Sequence, residues 1–295
     1  MKKNDWKIFS LSVLFLTAVF LNNAIAGNGM SGPTSPIREG KETNSMVQKE
    51  SGDQILKEIR EIEYNEIKYD EGSQNYYGFI HGNIPVLISA PHGAKHFRRR
   101  EHRWKGEDEY TASLAIELGK LTGAYVIYVK NKTTEDPNND PSSRYKMAVA
   151  KAVRKYHIKF LLDIHGSDEG RPYKVDIGII SNESGKVSCP NYKEIIQAAF
   201  SDFQPGLFNQ KFCANDACTL TSFAKYQLGI EAAQVEINTK YRVVERKPDS
   251  AKAKAGIEPH FKANGQDVLA LVTRLKGLIL EIDQKIEKKN PVTCD

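Results

Sequence analysis

The stretch VLISAPHGA, Val86–Ala94, is an apolar run that stops abruptly at Pro91-His92-Gly93. Its length and its lack of polar alternation are those of a strand buried on both faces. KFLLDIHG, Lys159–Gly166, repeats the pattern and ends on His165-Gly166. AAQVEIN, Ala232–Asn238, ends with Glu236 among apolar neighbours. Three strand ends thus carry two imidazoles and a carboxylate, and the first question is whether they meet.

Outward from Val86–Ala94, EYTASLAIELGKLTG reads as an amphipathic helix, with Leu114, Leu118 and Leu121 on one face and Gly123 to end it. AYVIYVK is a second buried strand, TTEDPNNDPSS a turn-rich loop, and RYKMAVAKAVRKYH a helix that leads into KFLLDIHG. Strand, helix, strand, helix, strand in this order predicts parallel pairing with right-handed crossovers. VDIGIIS adds a strand, NYKEIIQAAFSDF a helix, QVEIN a late strand, and residues 264–289 a long C-terminal helix. The expected fold class is α/β: a mostly parallel or mixed central sheet with helices on both faces, in a single domain over 65–290.

Upstream, IEYNEIKYD alternates like a strand, and the apolar positions Val47, Ile55, Ile59 and Ile62 fit a short helix. Residues 27–45 are rich in Gly, Ser, Pro and Thr, so 27–64 reads as a flexible lead-in. The first 26 residues have the form of a secretory signal: the basic MKKNDWK, the apolar IFSLSVLFLTAVFL, and small residues at Ala24 and Ala26. Cleavage after Ala26 is expected, with a secreted or periplasmic product and no lasting membrane insertion. The apolar run is short for a spanning helix.

The 295 residues are 40% hydrophobic and 27% charged, an ordinary globular balance. The net charge is +5, of which the signal segment contributes +2, leaving +3. So weak a basic bias argues against a nucleic-acid partner. Four cysteines, Cys189, Cys213, Cys218 and Cys294, enter an oxidising compartment after export. CANDAC would close a small loop between Cys213 and Cys218 and leave Cys189 with Cys294. None has the C-x-x-C spacing of a zinc or redox motif.

Ligands of open parallel sheets bind beyond the carboxyl ends of the strands. There His92, His165 and Glu236 can converge. Zinc suits two imidazoles and one carboxylate with a position open for water. The cluster Glu107-Asp108-Glu109 supplies the carboxylate, which leaves Glu236 as general base. Acids leading a helix also serve its dipole, and the spacing does not choose among the three. Asp163 is placed to orient His165.

LISAPHGA, EDEYTASLA, LLDIHG and AAQVEINTKYR occur in the order seen in N-formylglutamate amidohydrolases, and the chain resembles that family from about Ile84 to Arg242. The resemblance implies a fold like that of zinc carboxypeptidases and phage poly-γ-glutamate hydrolases. It implies Zn2+ held by His92, Asp108 and His165, with Glu236 as catalytic base. Two elements depart from the family pattern. Ala94 stands where a second glycine is usual, and Asn139 stands where an Asp-x-Asn-Arg substrate element has its arginine. Asp136 and Asn138 remain of that element, so Asn138 is expected to bind substrate. Arg144, or the run Arg98–Arg100, is expected to hold a substrate carboxylate. The expected activity is cleavage of an amide in an N-acyl amino acid, γ-glutamyl or peptide substrate through activated water. A carboxypeptidase-like cell-wall peptidase and a non-catalytic exported binding protein are the alternatives.

Overall fold

The computed structural model describes residues 39–179, 188–212, 214, 216–259 and 261–289, with side chains from residue 51 onward. The expected signal segment, Cys213 and Cys294 lie outside the described residues. Among the described residues Cys189, buried, and Cys218, half-buried, have no disulfide partner.

The chain is α/β. In chain order its strands are β1 (Lys68–Gly72), β2 (Tyr77–Ile80), β3 (Ile84–Ala90), β4 (His96–Arg98), β5 (Arg103–Lys105), β6 (Ala124–Val129), β7 (Asn131–Lys132), β8 (Phe160–Ser167), β9 (Val175–Gly178), β10 (Gly206–Phe208) and β11 (Glu231–Asn238). Its α-helices are α1 (Glu39–Asn65), α2 (Thr111–Thr122), α3 (Arg144–Lys155), α4 (Lys193–Ala199), α5 (Leu220–Tyr226), α6 (Ala251–Lys254) and α7 (Gly265–Lys289).

Seven strands form one mixed sheet in the order β10-β9-β11-β8-β3-β6-β2. The central four, β11, β8, β3 and β6, are parallel. β2 and β9 run antiparallel to their inner neighbours, β6 and β11. The chain leaves β3 through α2 to reach β6, then returns past β3 through α3 to reach β8. The strand order therefore reverses at β3, and a crevice opens at such a switch point beyond the carboxyl ends.

Alternation along the central strands sorts their side chains between two cores. Val86, Ile88, Phe160, Leu162, Ile164, Val235 and Ile237 join the core that includes α2 and α7. Leu87, Leu161 and Ala232 join the opposite core, with Tyr145 and Val149 of α3 and Leu220 of α5. By the same parity Asp163, His165, Gln234 and Glu236 belong to the second face.

Two local features bound α2 and α3. Gly123 ends α2 in the left-handed region, φ 79°, and Ser143 caps α3 by accepting from Lys146 N. Residues 39–64 differ from the expected flexible lead-in, because α1 occupies them. Ile59 and Glu63, one helical turn apart, are fully buried, and the compact unit of the fold begins at Asn44. The strand expected over IEYNEIKYD starts only at Lys68, since Ile62–Asn65 completes α1. Among the described residues no helix is long and apolar enough to cross a membrane.

Candidate metal centre

The turn after β3 explains why His92 stands between proline and glycine. A side chain at Gly93 would place its Cβ 2.3 Å from Val129 O and 2.7 Å from Ala112 Cβ. Only glycine lets the chain pass between β6 and α2 there. Asp108 N donates to His92 O at 2.8 Å, which ties the acidic turn to the histidine.

Three donor atoms converge from three segments. His92 Nδ1 lies 3.2 Å from His165 Nδ1 and 3.4 Å from Asp108 Oδ2. His165 Nδ1 lies 3.8 Å from the same oxygen. All three side chains are buried. Ligands about 2.0–2.1 Å from a tetrahedral zinc stand about 3.3–3.4 Å apart, so these separations fit one shared ion. The far nitrogen of each imidazole meets a carboxylate: Asp136 Oδ1 at 3.1 Å from His92 Nε2, and Asp163 Oδ2 at 2.9 Å from His165 Nε2. Such partners fix ring orientation and leave the other nitrogen free to ligate.

The structure separates the three acids of the turn. Glu107 Oε1 accepts from Ala251 N at 2.7 Å, and Glu109 pairs with Arg246 at 3.3 Å. Asp108 alone joins the histidines, and Gly166 N donates to its Oδ2 at 3.1 Å. Its carboxylate does not cap α2, which has no acidic residue in its first turn.

The carboxylates around the cluster favour positive charge there. Burial opposes a proton on His165, yet Asp163 and Asp108 outweigh it and lift the imidazole to about 10. Burial likewise opposes ionisation of Asp108, but Lys105 and the two histidines hold it well below the usual carboxylate range.

Glu236 sits beside His165 in the β8–β11 register. Gln234 Nε2 donates to its Oε1 at 2.9 Å. Burial pushes its carboxyl up, against the pull of His165.

Asn138 and Arg144 are placed differently from the cluster. Asn138 Oδ1 is committed to Leu220 N at 2.7 Å, holding the start of α5, although the residue lines the crevice. Arg144 points elsewhere: it binds Glu135 at 2.9 Å and Gln74 O at 2.9 Å, and stacks on Tyr76. Asp136, the other survivor of that element, supports His92 instead. Of the run Arg98–Arg100, Arg98 alone lines the crevice, and it is paired with Glu101 at 2.8 Å.

A crevice of about 710 Å³ contains His92, Asp108, His165 and Glu236, a size suited to a small ligand. Arg171 and Lys211 also line it, and neither makes an ion pair among the described residues. Arg171 rests on the Phe212 ring, 5.6 Å from its centroid. The sequence reading missed both, since an isolated surface cation has no local signature.

No protein-family model matches the chain, and neither does any curated protein. Solved structures give three likenesses at low identity. An N-formylglutamate amidohydrolase from Ralstonia eutropha JMP134 is 12% identical with a TM-score of 0.43, over 72% of this chain and 98% of that one. A metallo-carboxypeptidase from Burkholderia cenocepacia is 16% identical with a TM-score of 0.41, over 72% and 65%. A bacteriophage poly-gamma-glutamate hydrolase is 14% identical with a TM-score of 0.40, over 72% and 92%.

Proposed function

We propose that this chain is an exported zinc-dependent hydrolase that cleaves an amide bond in a small, carboxylate-bearing substrate. The observation that carries the reading is the convergence of His92 Nδ1, His165 Nδ1 and Asp108 Oδ2, with a carboxylate behind each histidine.

Zinc held by these three residues would supply Lewis acidity toward a carbonyl and toward water. Glu236 is the base. Gln234 occupies its Oε1, so Oε2 takes the proton of the attacking water and returns it to the leaving nitrogen. The carboxyl, raised by burial, is suited to holding that proton between the two transfers. Asp136 and Asp163 hold the rings in the tautomer that presents Nδ1. Arg171 and Lys211 attract a substrate carboxylate to the crevice mouth. The signal-like form of residues 1–26 supports the export part of this reading.

Metal content of the purified protein, combined with hydrolysis of N-acyl amino acids, γ-glutamyl amides and short peptides before and after chelation, tests the reading. Zinc-restored hydrolysis supports it. Zinc binding with no hydrolysis of any amide would favour a ligand-binding protein.

A further inference from the structure

Arg242 lies just beyond β11 and is 4% exposed. Among the described residues its guanidinium has no carboxylate partner within hydrogen-bond reach. Instead it donates to backbone oxygens of three separate segments: Nε to Glu109 O at 2.8 Å, and Nη1 to Ser167 O at 2.9 Å and Ile237 O at 2.7 Å. Nη1 also reaches Thr239 Oγ1 at 3.2 Å. Glu109 follows Asp108, Ser167 is two residues past His165, and Ile237 follows Glu236. Each carbonyl therefore lies within two residues of one site residue.

Gly166 is the other half of the arrangement. A Cβ there would sit 2.6 Å from Arg242 Cζ, so the guanidinium fits only beneath a bare Cα. The same residue's N–H binds Asp108 Oδ2 at 3.1 Å.

We infer that Arg242, seated under Gly166, is the positioning residue that locks the Asp108 turn, the end of β8 and the end of β11 into one geometry. The planar fork sets Nε and Nη1 apart, so that one reaches Glu109 O while the other reaches Ser167 O and Ile237 O; a lysine presents all its donors from one nitrogen. The inference rests on the metal-site reading for its consequence, but the lock itself is a property of the metal-free chain.

Hydrogen exchange on metal-free protein tests the lock directly. Arg242→Lys and Gly166→Ala should each speed exchange of the Asp108, Gly166 and Asn238 amides together, relative to the rest of the sheet. Ile196→Ala, a core change in α4, should lower stability without that selectivity. Zinc titration is the second arm: each lock variant should weaken binding at least ~10-fold, and the double variant should be no worse than either. Exchange that rises uniformly, or a lysine variant indistinguishable from the parent, overturns the inference. A parent chain that takes up no zinc would refute the metal reading, while the exchange data would still decide the lock.

Discussion

His165 on β8 and Glu236 on β11 are direct partners in a parallel register, Glu236 against His165 and Gln234 against Asp163. Parity puts all four on one face of the sheet. A metal-ligand candidate and its supporting carboxylate thus stand beside a base candidate and its supporting amide, two residues apart on each strand.

That pairing sets the expectation for Glu236→Gln. The amide keeps the shape and loses the capacity to accept a proton. kcat should fall about 10²–10⁴-fold, with zinc content and melting temperature near those of the parent. Elemental analysis, calorimetry and steady-state kinetics on this one variant check it; lost zinc would make Glu236 a ligand instead.

Asp163→Asn and Asp136→Asn should each leave the three ligands in place and weaken zinc binding about 10–100-fold. Competition against a chelator of known affinity measures this. Unchanged affinity in both would remove the supporting role given to these carboxylates.

Arg171→Ala and Lys211→Ala should raise KM for a carboxylate-bearing amide and leave its uncharged amide analogue unaffected. Added salt should shrink the difference, since both cations are exposed. Equal effects on both substrates would remove the anion-binding role.

Asp70 is held well below the usual carboxylate range, chiefly by Lys132, then by Lys95 and Lys254. A depressed folded-state pKa contributes stability above the unfolded value, about 3.9, and loses it as pH falls below that. Asp70→Asn should therefore lower the melting temperature slightly at pH 7. The gap should close as the solution is acidified into the range below pH 4. Because the group is about a third exposed, the effect should be small and weaker in high salt. A gap that widens on acidification would contradict the assignment.

Much of this site is legible in sequence because its members sit where strands end. A buried apolar run reaching His-Gly puts the histidine within two residues of a strand end and marks a residue facing the crevice. The partners that orient those residues are less visible. Asp163 shares a strand face with His165 and can be read locally. Asp136 reaches His92 across 44 positions, and Arg242 reaches Glu109 across 133, distances over which pattern carries no register. The acidic turn shows the same limit: its three neighbouring acids look alike until Ala251 N claims Glu107 and Arg246 claims Glu109. α1 is read only in part, as a short helix over its apolar positions. Its Gly, Ser and charged residues resemble a linker, whereas the burial of Ile59 and Glu63 keeps it helical up to Asn65.

Anomalous diffraction at the zinc edge, from crystals of the protein grown with zinc, addresses the metal centre most directly. One strong peak is expected about 2.0–2.1 Å from both His92 Nδ1 and His165 Nδ1 and within bonding distance of an Asp108 oxygen. No peak between those atoms, in a preparation that hydrolyses amides, would contradict it.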